Sequence, residues 1–427
     1  MEESLNNNDD FPDKKFKNKD CNFKINLVIH IILGLIIIGL VITIILIKNS
    51  KEEKAEETII PPSPERENTE MNWNYFGEIT YNISYSKNKI IENTFKKGGK
   101  NYDPEIGEIN DGHDYPENER NKYDLYVPYS ALLNKDSYNG IILFVHGGSW
   151  IEGTKEDFES HCKIYGEMGF ITATMEYTVL HGIYPNNNIF RIMDEITFCI
   201  DSIKEELKAK GFNETNLGLA LGGYSAGGHL ILLYTYLISN SSIPLKFAID
   251  ICGPISVEPK HYYRLVKVND TLESLELSYI QKALEDKRII RTSSTDTILL
   301  QYMNAFLGER YNSSDLAEML NENNTINYSN EKFQKLYNSV KYSFPVSIKD
   351  KNNLPTLCLY TGNDDVVGVV AYAYLKAKAK QDNKIMDLIY SKYADHGYLN
   401  FTMEDSIESL RELHVKILEY AKLYFKN

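Results

Sequence analysis

Five residues near the middle of this 427-residue chain constrain its fold more than any others: Gly223-Tyr224-Ser225-Ala226-Gly227. They separate an apolar run, Leu217–Gly222, which reads as a strand, from a segment opening at Ala226 that reads as a helix. A strand that passes straight into a helix must turn sharply, and small residues on both sides let the two elements run close together. Such a turn strains the serine backbone and lifts its hydroxyl over the end of the sheet, while the helix N-terminus adds positive potential beside it. A bare G-x-S-x-G occurs by chance in many chains. One set between an apolar strand and a helix is much rarer, so Ser225 is the candidate nucleophile.

The surrounding chain alternates in the same manner. Tyr123–Val127, Ile141–His146, Phe170–Tyr177, Phe247–Cys252, Thr356–Tyr360 and Ile385–Tyr390 read as strands, several apolar throughout, as strands buried on both faces are. Thr154 and Asp157 fit a capping box for a helix stopping near Gly169. Apolar residues recur at helical spacing from Ile189 to Leu207 and from Ile407 to Tyr424. Strand–helix alternation at this spacing predicts a three-layer α/β sandwich around a mostly parallel sheet with right-handed crossovers. Between about 255 and 345 the alternation stops, and the segment reads as an insertion of helices and loops at the carboxyl end of the sheet, placed as a lid.

Ahead of this body, Ile25 to Ile47 is an uncharged apolar run. As a helix it is about 35 Å long, against a bilayer core of about 30 Å, and no A-x-A cleavage pattern follows it. The expected organisation is a disordered polar tail over 1–24, a transmembrane anchor over 25–47, a stalk over 48–70 and a folded domain over 71–427. Basic residues balance across the anchor, but the N-x-S/T patterns at Asn82, Asn213, Asn240, Asn269, Asn312, Asn323, Asn327 and Asn400 all follow it. They favour a cytosolic N-terminus and a lumenal or extracellular, glycosylated body. The formal net charge of −14 and the lack of a basic patch exclude nucleic acid as a partner. The five cysteines show no metal-ligand spacing and read mostly as buried free thiols. Oligomeric state leaves no mark on the sequence.

A second motif, His146-Gly147-Gly148-Ser149-Trp150, ends an apolar strand. Acyl transfer builds charge on a carbonyl oxygen, and fixed N–H donors there lower the barrier by about 3 kcal/mol each. The amides of Gly147, Gly148 and Ala226 are the candidate oxyanion hole, with Trp150 and Tyr224 in the wall of the substrate pocket. His146 reads as structural. The serine needs a base with a carboxylate behind it. His229 lies one turn into the nucleophile helix, His261 in the insertion and His414 in the final amphipathic helix. His396 follows the strand ending at Tyr390 and is the candidate base. The acid belongs in the loop after Thr356–Tyr360, where Asp364 and Asp365 both qualify. Ser225…Asp364…His396 is the chain order this kind of fold requires.

GYSAGGHL at 223–230, HGGSW at 146–150, GNDDVV at 362–367 and DHGY at 395–398 together resemble the α/β-hydrolase esterase/lipase family that includes feruloyl-esterase-like and kynurenine-formamidase-like enzymes. YDLYVP at 123–128, EYT at 176–178 and FLG at 306–308 are also similar, so the resemblance covers roughly 120–425. It implies an α/β-hydrolase fold, a serine carboxylesterase-like activity, no metal or organic cofactor, and Asp364, two residues past the loop glycine, as the acid. This chain has Gly368 where proline is expected and Tyr177-Thr178 where Tyr-Arg is usual. The implied substrate is a small-molecule or lipid ester. An amidase or formamidase, a prenylcysteine methylesterase, and an inactive hydrolase-fold binding module remain as alternatives.

Overall fold

The computed structural model describes residues 69–70, 77–87, 90–102, 104, 114–136, 138–180, 187–256, 258, 263–265, 282, 285, 289–291, 295–348, 350–368, 370–391, 394–396 and 404–425. All of them belong to the compact unit Glu67–Asn427. The expected tail and the anchor at 25–47 lie outside the described residues, as do His261, Asn269 and Asn400. Among the described residues no helix is long and apolar enough to cross a membrane.

Among the described residues nine strands form one sheet: β1 (Thr69–Glu70), β2 (Gly77–Ser84), β3 (Lys122–Pro128), β4 (Ile141–Val145), β5 (Ile171–Met175), β6 (Leu219–Tyr224), β7 (Leu245–Ile251), β10 (Thr356–Thr361) and β11 (Met386–Ser391). Their spatial order is β1-β2-β3-β5-β4-β6-β7-β10-β11. The six strands from β5 to β11 run parallel, while β1, β2 and β3 pair antiparallel at one edge. The β1–β2 hairpin has no counterpart in the sequence reading. Its inner face carries Ile79 and Tyr81 between polar residues, too short an alternation to stand out.

Along β4, Ile141, Leu143 and Val145 enter one core, while Ile142 and Phe144 enter the other, so both faces of the sheet are covered. α3 (Ile189–Ala209), α4 (Ala226–Leu237) and α8 (Val370–Gln381) pack on the first face. α2 (Glu159–Glu167) and α9 (Glu404–Tyr424) pack on the second. Phe144 stacks on Phe158, 4.9 Å between ring centres, in that second core. Each fully buried side chain of this size contributes about 1.5–3 kcal/mol. The expected capping box is present: Thr154 opens a short 3-10 turn leading into α2, and its N–H donates to Asp157 at 3.1 Å. α3 is capped by Asn188, whose side chain accepts from the amides of Phe190 and Arg191. A short helix, α1 (Tyr129–Leu133), follows β3.

Between 295 and 340 the insertion carries three helices joined by loops: α5 (Asp296–Phe306), α6 (Ser313–Glu318) and α7 (Glu331–Val340), capped by Thr295, Asn312 and Asn330. The expectation of helices and loops alone is corrected by a small antiparallel pair, β8 (Tyr263–Leu265) with β9 (Ile289–Arg291). All twelve residues of α4 are buried, which explains why its apolar pattern is not one-sided. The four described cysteines, Cys162, Cys199, Cys252 and Cys358, are buried and free, as expected.

Candidate active site

Ser225 joins β6 to α4 with φ 53° and ψ −120°, a conformation that costs a non-glycine residue about 1–3 kcal/mol. The strained turn is held on both sides. The Ser225 N–H donates to the Ile251 carbonyl at 2.8 Å, and the Ser225 carbonyl accepts from His229 N–H at 3.1 Å. The glycines are required by contact. A Cβ at Gly227 would lie 2.0 Å from the Val145 carbonyl oxygen, and one at Gly223 would lie 2.3 Å from that of Gly227.

The hydroxyl faces His396, with Nε2 2.9 Å from Ser225 Oγ. On the other side of the ring, Nδ1 lies 2.7 Å from Asp364 Oδ2. Asp364 Oδ1 accepts from the amides of Val366 at 2.8 Å and Val367 at 2.7 Å. A carboxylate held by two amides offers its free oxygen as an acceptor, so Nδ1 carries the ring proton and Nε2 presents its lone pair to the serine. Asp364 is fully buried, while Asp365 and Asp395 are exposed, so the pairing belongs to Asp364.

The loop bearing His396 is tied to its neighbours at several points. Asn363 N–H donates to the Ala394 carbonyl at 3.1 Å, and Thr361 Oγ1 to that of Asp395 at 3.1 Å. The Tyr224 hydroxyl donates to the carbonyl of His396 itself. Tyr224 was expected as pocket wall. It is half-buried, and its hydroxyl fastens the base loop, a role no sequence pattern announces.

Gly147 runs along the nucleophile, where an added Cβ would lie 3.3 Å from Ser225 Cβ and 3.0 Å from the Tyr224 carbonyl oxygen. Gly148 has φ 96°, and its carbonyl accepts from Ile151 and Glu152, closing the turn. Ala226 is the first residue of α4, so its N–H has no partner within the helix. The three amides expected to hold an oxyanion therefore come from two segments that meet at Ser225. His146 is structural, as expected. It stacks on Tyr177 at 4.1 Å, its Nδ1 lies 2.8 Å from the Gly147 carbonyl, and burial lowers its pKa to about 3.

Trp150 is corrected from pocket wall to packing residue. It is 3% exposed and lies edge-on to Tyr302, Phe306 and His229. Arg120, which carries no motif, escaped the sequence reading. Its guanidinium reaches the carbonyls of Tyr177 at 2.8 Å and Gly153 at 2.7 Å and the Glu176 carboxylate at 2.6 Å, bracing the turn that follows β5. Thr178, where arginine was expected, donates both its amide and its hydroxyl to Glu195.

Cys252 also approaches the pair. The donor atoms of Cys252, Asp364 and His396 lie within 4.8 Å of one another, which is a possible set of metal ligands. A cation there would have to break the Asp364–His396 hydrogen bond and remove a thiol proton that burial holds well above its ordinary pKa. The arrangement suits proton transfer better than metal ligation.

A family model described as BD-FAE matches residues 123–379. Among solved structures, a truncated carbohydrate esterase from gut microbiota is 12% identical, with 83% of this chain and 99% of that one covered at a TM-score of 0.51. Esterase B from Lactobacillus rhamnosis is 15% identical over 72% of this chain and 83% of its own, with a TM-score of 0.47. The Pyrobaculum calidifontis esterase is 16% identical over 70% and 81%, with a TM-score of 0.46. No curated protein matches the chain. At such identities the first of these structures shows a shared fold, and the other two add nothing to that.

Proposed function

The chain belongs to the BD-FAE family, an α/β-hydrolase esterase family, and from that premise we propose that it is a serine esterase cleaving carboxylic esters through an acyl-enzyme. Ser225 Oγ attacks the ester carbonyl carbon as His396 Nε2 takes its proton. Asp364 keeps the imidazole in its Nδ1–H form and stabilises the imidazolium. The amides of Gly147, Gly148 and Ala226 receive the developing oxyanion. The imidazolium returns its proton to the leaving alcohol, and water, activated by the same histidine, releases the acid.

The observation that carries this reading is the continuous hydrogen-bonded line from Asp364 Oδ2 through His396 to Ser225 Oγ, at 2.7 and 2.9 Å. A carboxylic ester with a small or medium apolar acyl group is the substrate class proposed, approached beneath the insertion. The test is labelling with a fluorophosphonate probe alongside hydrolysis of short-chain p-nitrophenyl esters. Wild type is expected to label and to hydrolyse, and Ser225→Ala to do neither. Folded wild type that takes up no probe would leave a binding module as the better reading.

A further inference from the structure

Immediately after the two glycines of the oxyanion segment, Ser149 and Trp150 have φ of 51° and 65°. L side chains rarely adopt this region, and two such residues in a row persist only where the surroundings hold them. The Trp150 indole is what is held. Its Nε1–H donates to His229 Nδ1 at 3.0 Å, and His229 Nε2 lies 2.7 Å from the Ser343 carbonyl oxygen. A carbonyl only accepts, so Nε2 carries the proton and Nδ1 is left bare to accept from the indole. Both ring nitrogens of His229 thus have one possible role each. Burial, which lowers the imidazole to about 4, keeps the ring neutral at ordinary pH.

This line joins three distant parts of the chain: the loop after β4, the first turn of α4 behind Ser225, and the segment following α7. Aromatic rings lock it. Phe344 lies 4.6 Å from the His229 ring, Phe306 stacks on the same ring at 5.8 Å, and Trp150 meets Phe306 edge-on at 4.9 Å.

We propose that Trp150 and His229 are positioning residues, and that the line Trp150–His229–Ser343 sets the angle at which the Gly147-Gly148 backbone meets the oxyanion. The inference rests on the serine-esterase reading. It makes the helical insertion part of the rate-enhancing machinery, since the Ser343 carbonyl fixes the imidazole that fixes the indole. Oxyanion donors act on charge that exists only in the transition state. Loosening this line therefore lowers kcat and leaves ground-state binding alone.

The test uses the full chain with three variants. Trp150→Phe keeps an aromatic ring and loses the donor. His229→Phe keeps the stacking and loses both hydrogen bonds. His229→Gln offers an acceptor and a donor in the same one-three relation as the imidazole nitrogens. Measured on one ester, Trp150→Phe and His229→Phe are expected to lower kcat about ten- to a hundredfold, with KM within about twofold. Binding of a trifluoromethyl ketone, which forms a tetrahedral adduct with the serine, should weaken by the same factor. His229→Gln should recover most of the rate, and the double variant Trp150→Phe/His229→Phe should be no slower than the slower single. If His229→Phe does not fold, Trp150→Phe and His229→Gln decide the matter. Unchanged kcat in Trp150→Phe, a rise in KM at constant kcat, or a His229→Gln as impaired as Trp150→Phe would each overturn the proposal. An inactive, unlabelled wild type would instead remove the esterase reading beneath it.

Discussion

At the scale of single residues, the pairing of His396 with a carboxylate turns on burial. Asp364 is enclosed and receives two backbone amides, while its neighbour Asp365 is exposed. The residue types alone left the two aspartates equivalent, because the chain does not reveal which side of a loop faces inward. The resemblance to a known family separated them, by the spacing after Gly362. Asp364→Asn is expected to reduce kcat by about 10⁴-fold, since the amide leaves the histidine in the wrong tautomer. Asp365→Asn should stay within about twofold of wild type. Steady-state kinetics on the two purified variants would check this, and equal losses would mean that the acid is wrongly assigned. Ser225 and His396 were legible because each sits at a strand end that its neighbours announce. Trp150 was legible as important but not as buried, because its partners Tyr302 and Phe306 lie about 150 residues further on.

At the scale of elements, apolar runs marked the parallel strands to within two residues, because strands covered on both faces have little freedom of composition. The edge strand β2, whose only buried residues are Ile79 and Tyr81, was missed. α3 shows how an element can carry a titration the sequence hides. Its Asp194 accepts from Thr94 N–H at 3.0 Å and from Thr94 Oγ1 at 2.5 Å, pinning the segment between β2 and β3 to the helix. Burial pushes that carboxyl up to about 8, from an ordinary value of 3.8. Between these two values the folded chain keeps a proton that the unfolded chain has released. Stability therefore falls as pH rises through that window, by on the order of 1 kcal/mol per pH unit. Asp194→Asn removes the titration, so its Tm relative to wild type should climb from pH 5 to pH 8 in a thermal-unfolding series. A difference that stays constant across that range would mean the carboxylate is ionised in the fold.

At the scale of the whole molecule, the α/β body was legible from strand–helix rhythm. The insertion was legible mainly as the place where that rhythm fails, which is why its β8–β9 pair went unforeseen. The apolar run at 25–47 is proposed to anchor the enzyme to a bilayer. Alkaline carbonate extraction of membranes from cells making the full chain should leave the protein in the pellet, and its release into the supernatant would refute an integral anchor. The site itself is assembled from far apart: the base lies 171 residues after the nucleophile, and the acid arrives between them. This ordering has a consequence during synthesis. With the triad proposed above, a nascent chain whose nucleophile elbow has already left the ribosome still lacks the group that would activate it, so a polypeptide truncated before His396 is expected to leave esters untouched.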